Sequence, residues 1–159
     1  MVFDGLKTGI DKFRKGFGDK PKIAFFIDGP NIIRKEFNID LRELKKRVEK
    51  YGRIVVGKVF LNQFASEKLI EAVANEGLES VIALGDPEQK TDVDVSIAVH
   101  AMEAIYNPEI DAIALATRDA DFLALIQMAK EKGKFTILVS VESGLAVSIK
   151  HASDHVELL

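Results

Sequence analysis

The run Lys22-Ile23-Ala24-Phe25-Phe26-Ile27-Asp28-Gly29-Pro30-Asn31 carries the main clue to the architecture. Lys22 to Ile27 reads as a strand. Its unbroken apolar residues suit a strand buried on both faces, as in parallel sheets clad by helices. Asp28 ends the run at once, Gly29 and Pro30 turn the chain, and Asn31 follows as the next helical or turn residue. From there β-branched blocks alternate with helical stretches, the pattern of an α/β domain with a parallel sheet. The further strands are predicted at Ile54 to Leu61, Ser80 to Leu84, Ala112 to Ala116 and Phe135 to Val139, with a short last piece near Val156. Helices are predicted near Leu41 to Tyr51, Ser66 to Glu76, Asp92 to Tyr106, Asp121 to Lys132 and Gly144 to His151. Gly52, Gly77, Pro108 and Gly133 fall at their ends, where such residues stop helices. One doubly wound domain over residues 21–159 is expected.

Ahead of it, Phe3, Leu6, Ile10, Phe13 and Phe17 recur at spacings of three and four with Lys7, Lys12, Arg14 and Lys15 between them. That is an amphipathic helical pattern, which Gly16, Gly18 and Pro21 then break. Residues 1–20 are therefore read as a leading helix and linker that packs on its own domain or docks a partner subunit, a homodimer included. The apolar runs are strand-sized, far below the roughly 20 residues of a membrane-spanning helix. No membrane partner and a cytoplasmic location are expected. The absence of cysteine removes disulfide frameworks, thiolate metal sites and cysteine nucleophiles. Charge is divided: residues 1–58 hold 15 Lys and Arg against 8 Asp and Glu, and residues 59–159 hold 7 against 17. The basic part could attract a phosphate backbone and the acidic part could collect hard cations, although charge runs also form plain solvated helix faces.

Ligands of doubly wound folds bind beyond the carboxyl ends of the strands, so the polar residues there matter most. Asp28 stands at the first strand's end, and Thr117-Arg118-Asp119-Ala120-Asp121-Phe122 follows the fourth strand. Thr91-Asp92-Val93-Asp94 opens the long helix before it. On a continuous helix Asp92 lies about 200° from Asp94, so the two cannot point inward equally and Asp94 is favoured. His100, about 240° round from Asp94, is a poor partner for the same ligand. Several carboxylates in one crevice raise one another's pKa values unless a cation neutralises them. Mg²⁺ or Mn²⁺ takes such oxygen ligands, polarises a phosphoryl oxygen and activates water. Each aspartate also has a plainer reading, as a turn residue or a helix cap. Walker, dinucleotide, H-E-x-x-H and G-x-S-x-G motifs are missing. Pro30 stands where a haloacid-dehalogenase phosphatase wants its second aspartate, and Ser140-Val141 where a receiver domain wants lysine.

Taken together, Phe26-Ile27-Asp28-Gly29-Pro30-Asn31, Asp94-Val95-Ser96-Ile97-Ala98 and Thr117-Arg118-Asp119-Ala120-Asp121-Phe122 resemble the NYN domains of the PIN-like nuclease superfamily, with uncharacterised archaeal members most similar. The likeness runs from about Lys22 to the end and includes Gly144-Leu145 and Lys150-His151-Ala152-Ser153-Asp154. It implies a three-layer αβα sandwich with a mainly parallel sheet and metal-dependent ribonuclease chemistry. By position it assigns Asp28, Asp94, Asp119 and Asp121 to the acidic cluster that holds Mg²⁺ or Mn²⁺, with Asn31 as the polar partner. The chain departs from many relatives at His100, where they are acidic, and at Thr117-Arg118, where they carry a Ser-Gly pair.

The expected function is thus an RNA hydrolase in which those four aspartates hold metal and Asn31 and Thr117 orient ligands or substrate. Arg118, Arg34 and Lys35 are the expected substrate contacts. Arg42, Lys45, Lys46 and Arg47 could add to them only where they face the crevice. The alternative is a non-catalytic module that keeps the fold and binds RNA or a protein through the leading helix.

Overall fold

A computed structural model describes residues 20–84 and 92–159. The expected leading helix lies outside the described residues. Six strands form one sheet: β1 (Lys22–Asp28), β2 (Arg53–Asn62), β3 (Glu79–Ala83), β4 (Ala112–Ala116), β5 (Phe135–Ser140) and β6 (His155–Leu158). Their order is β3-β2-β1-β4-β5-β6. Every neighbouring pair is parallel, so the sheet is wholly rather than mainly so.

β1 shows why the chain folds this way. Ile23, Phe25 and Ile27 point into one layer, against Leu41, Leu44 and Val48 of α2 (Leu41–Glu49) and Val73 of α3 (Glu67–Asn75). Ala24 and Phe26 point into the other, against Ile97 and Ala101 of α4 (Asp94–Ile105), Ile126 and Ala129 of α5 (Leu123–Glu131) and Ile149 of α6 (Val147–Ala152). A strand alternates its side chains between faces, so both sets must be apolar, and from Ile23 to Ile27 none is exposed. The result is a three-layer sandwich. Asp40 caps α2 by accepting the Arg42 amide at 2.9 Å, and Ser66 caps α3 by accepting that of Leu69 at 3.2 Å.

Helix boundaries differ from expectation where polar side chains or glycine compete with the helix. α4 starts at Asp94, two residues late, because the Asp92 carboxylate folds back onto the Asp94 amide at 2.8 Å. A 3₁₀ turn, Ala120–Phe122, precedes α5. α6 begins at Val147 because Gly144 takes the left-handed conformation with φ of 69°. Two short pieces after β1 carry too few turns to show a period: α1 (Gly29–Ile32) and a 3₁₀ turn, Lys35–Phe37. Gly29 sits so close to β2 that a Cβ would lie 2.4 Å from the Phe60 carbonyl oxygen, so only glycine lets α1 start there.

The sheet order reverses between β1 and β4. Crossovers leave β1 toward β2 on one side and later return to β4 on the other, opening a crevice at the carboxyl ends of both strands. Elsewhere, Glu157 on the edge strand β6 is 7% exposed, accepts from Tyr51 Oη at 2.7 Å and pairs with Lys50 Nζ at 2.9 Å. Among the described residues no helix is long and apolar enough to cross a membrane.

Candidate metal centre

Asp28 is the last residue of β1 and is 2% exposed. Its Oδ2 accepts from the Thr117 hydroxyl at 2.9 Å, and that hydroxyl oxygen accepts the Asp119 amide at 3.2 Å. Burial pushes the Asp28 carboxyl up to about 6, with Asp119 adding to the rise and the Thr117 hydrogen bond opposing it. Thr117, wholly buried directly after β4, therefore links the two strand ends across the crevice.

Asp119 Oδ1 accepts the Asp121 amide at 2.9 Å, a short-range cap that turns the chain into Ala120–Phe122 and leaves the other carboxylate oxygen free of that bond. Asp94 stands at the first position of α4. Asp94, Asp119 and Asp121 each offer one oxygen, and those oxygens lie within 4.8 Å of one another. Asp28, Asp94 and Asp119 also line one cleft of about 270 Å³, together with Pro30, Asn31, Arg34, Asp92 and Val93. Burial and the neighbouring Asp92 carboxylate, which shares a hydrogen bond with it, push Asp94 up to about 8, helped by Asp28 and Asp119. A cation placed among these carboxylates would favour their charged forms and oppose the rise. An all-oxygen set at this spacing fits a hard divalent ion such as Mg²⁺ or Mn²⁺.

The cleft thus gathers three of the four expected aspartates, Asp28, Asp94 and Asp119, and adds Asp92, while Asp121 comes near Asp94 and Asp119 from outside its lining. Sequence reasoning set Asp92 aside on the assumption of a helix already running there. Because Asp92 precedes the helix, its direction is not bound to the 100° step, and it faces the same cleft.

The sequence model of the NYN domain matches residues 22–159. The chain belongs to the NYN domain family. A relative is an uncharacterised protein of Methanocaldococcus jannaschii, 49% identical over 146 residues that make up 92% of this chain and 58% of that protein. The chain thus spans well under two thirds of that relative. Among solved structures, a protein of unknown function from Vibrio parahaemolyticus superposes with a TM-score of 0.75 at 20% identity. The match covers 88% of this chain and 93% of that one, and it speaks for the fold alone.

Around the NYN cleft the other expected residues take distinct places. Asn31 Oδ1 accepts the Arg118 amide at 2.9 Å, so Asn31 pins the segment that carries Asp119. Arg118 donates Nε to the Asn31 carbonyl at 3.2 Å and Nη1 to the Ser143 carbonyl at 3.2 Å, and it stacks over the Phe37 ring at 4.7 Å. It is a fixed cation, not a swinging one. Arg34 lines the cleft and pairs with Glu36, while Lys35 is exposed in the following turn. Lys45 donates to the Glu76 carbonyl, Arg42 pairs with Glu76, and Arg47 with Glu43 and Glu157, so these α2 cations bind their own domain. His100 turns away to Lys58 Nζ at 2.9 Å and to the Phe60 ring edge. Phe37 and Ser143, which hold Arg118, gave no signal in the sequence, because an aromatic residue in a turn and a serine carbonyl have no pattern to read.

Proposed function

We propose that this NYN domain is a cytoplasmic, divalent-metal-dependent ribonuclease that hydrolyses RNA phosphodiester bonds at the cleft between β1 and β4. The observation that carries the reading is the convergence of Asp94, Asp119 and Asp121 oxygens within 4.8 Å, beside the buried Asp28, at the point where the sheet order reverses. Asp94, Asp119 and Asp121 would hold Mg²⁺ or Mn²⁺. Bound there, the ion offsets the carboxylate charge and withdraws electron density from a phosphoryl oxygen. Asp28, held through Oδ2 by Thr117 and lining the cleft, would help hold the ion and orient the attacking water in line with the scissile P–O bond. Asn31 holds the Asp119 segment in register. Arg34 and Lys35 give positive charge to the flanking phosphates, and Arg118 adds a fixed charge behind Asn31. RNA as the substrate class is supported by the family likeness in the three motifs and by the divided charge of the chain.

The test is cleavage of labelled single-stranded and structured RNA with Mn²⁺, Mg²⁺ or EDTA, comparing the natural chain with Asp28→Asn and Asp119→Asn purified identically. Metal-dependent cleavage lost in both variants is expected. Cleavage that survives both substitutions, or none by the natural chain on any substrate, overturns the proposal.

A further inference from the structure

Beside the acidic cleft runs a second, larger concavity, a groove of about 420 Å³ between α4 and α5. Val95, Ala98 and Met102 wall it from one helix and Leu125 and Met128 from the other, beside the buried Phe122. The two cavities meet at the aspartates. Asp94 lines both, Asp121 lines the groove and Asp119 the cleft, and one oxygen of each lies within 4.8 Å of the others. A cation held by that trio would therefore stand at the junction, with the polar cleft and Arg34 on one side and an apolar slot on the other.

The chemistry of the groove restricts what fills it. Among the described residues Asp94 and Asp121 are its only charged or polar lining, and they stand at the end where both helices begin. A ligand that uses the whole groove needs an anionic group for the ion and an apolar body for the walls. A nucleotide unit of a bound strand has both: a phosphate and, one sugar away, a base with apolar faces and a polar edge. The groove suits that division. Val95 is 73% exposed and Ala124 on the other helix is exposed as well, so the slot opens to water and the edge of a base stays hydrated while its faces are covered. Met102 and Met128 supply one thioether from each helix, and such side chains are polarizable and adapt to rings of different shape.

We infer that the groove between α4 and α5 is the subsite for a nucleobase of the strand whose phosphate sits at the aspartate trio, bound by packing on its faces rather than through its hydrogen-bonding edge. The inference rests on the phosphate-binding role proposed for that site, but on no step of hydrolysis.

The chain has no tryptophan, so one introduced at the groove reports on the groove alone. Ala124→Trp in the full chain is titrated with oligoadenylate RNA, and with a strand of the same length that lacks every base, in Ca²⁺ in place of Mn²⁺. Glu71→Trp, exposed on α3 in the opposite layer, is the control. Anisotropy of an end label follows the binding of each strand in parallel. Oligoadenylate should quench the emission of Ala124→Trp and not that of Glu71→Trp, and the abasic strand should quench neither. Ala98→Leu, which narrows the slot, should weaken oligoadenylate binding roughly tenfold and leave the affinities for the abasic strand and for Mn²⁺ unchanged. Quenching by both strands alike, oligoadenylate that binds without quenching or does not bind, or equal weakening of both strands by Ala98→Leu overturns the inference. A chain that shows the quenching but cleaves no RNA keeps the subsite and loses the ribonuclease reading; one that cleaves RNA without the quenching does the reverse.

Discussion

Thr117 and Asp28, 89 residues apart in the chain, meet through one hydroxyl that donates to Asp28 Oδ2 at 2.9 Å while accepting the Asp119 amide at 3.2 Å. Thr117→Val keeps the shape and removes the hydroxyl. A buried acceptor and an amide then lose their partner, costing about 1–3 kcal/mol of stability. The affinity for Mn²⁺ should also fall, roughly tenfold, as Asp28 and Asp119 lose their shared anchor. Denaturant titration in EDTA and calorimetric Mn²⁺ titration check the two effects separately. Unchanged metal affinity would show that the link is purely structural.

Asp28 and Asp94 predict how stability varies with pH when no metal is bound. Both hold their protons more tightly folded, at about 6 and about 8, than their ordinary value of 3.8. The stability they contribute is complete below about pH 4 and is lost as pH rises through about 6 and then about 8. Thermal melts in EDTA should therefore fall between those limits. Asp94→Asn should flatten the upper part and gain about 2 kcal/mol at pH 8, less than the shift alone would give because Asp94 is half-buried and solvent screens it. Mn²⁺ should raise the natural chain's melting temperature and leave that of Asp94→Asn nearly unchanged.

Glu157 acts in the opposite direction. Burial disfavours its charge, but hydrogen bonds from His155, Tyr51 and Lys50 outweigh that and hold it at about 2, below its ordinary 4.5. Its contribution is present above about pH 4.5 and is lost as pH falls through about 2. Tyr51→Phe removes the 2.7 Å bond, should cost about 1–2 kcal/mol at neutral pH, and should move acid unfolding to higher pH. Circular dichroism during acid titration reads the midpoint. An unmoved midpoint would mean that Lys50 and His155 suffice.

Gly144 is constrained twice. Its φ of 69° disfavours any side chain, and a Cβ there would lie 2.8 Å from Arg118 Nη1. Gly144→Ala should cost about 1–2 kcal/mol from the backbone alone. It should also loosen Arg118 from Ser143, seen as faster hydrogen exchange across residues 117–121.

Much of this was legible in the chain itself, for a physical reason. Buried parallel strands demand unbroken apolar runs, so Ile23 to Ile27 and Ile137 to Val139 announce themselves, and a carboxylate ending such a run, as Asp28 does, stands out. Asp94, Asp119 and Asp121 could be read from their places at element ends. What escaped depends on local competition or on distance. Asp92 was set aside because its own side chain delays the helix by two residues, which periodicity does not register. The ties of Arg118 to Asn31, Phe37 and Ser143, and the ion pairs of Arg42, Lys45 and Arg47, join residues far apart in the chain. A cation has the same letter whether it meets solvent, substrate or a carbonyl.

The reversal of sheet order between β1 and β4 has a consequence for synthesis. As the chain leaves the ribosome, β1, β2 and β3 can pair while one edge of β1 is still open, and Asp28 then has no Thr117, Asp94 or Asp119 beside it. The aspartate cluster of the proposed cation site comes together only when β4 closes that edge and the turn through Asp121 follows. Under the proposed function, metal uptake by nascent chains of increasing length should therefore switch on in a single step, and a bound ion would report the completion of the central sheet.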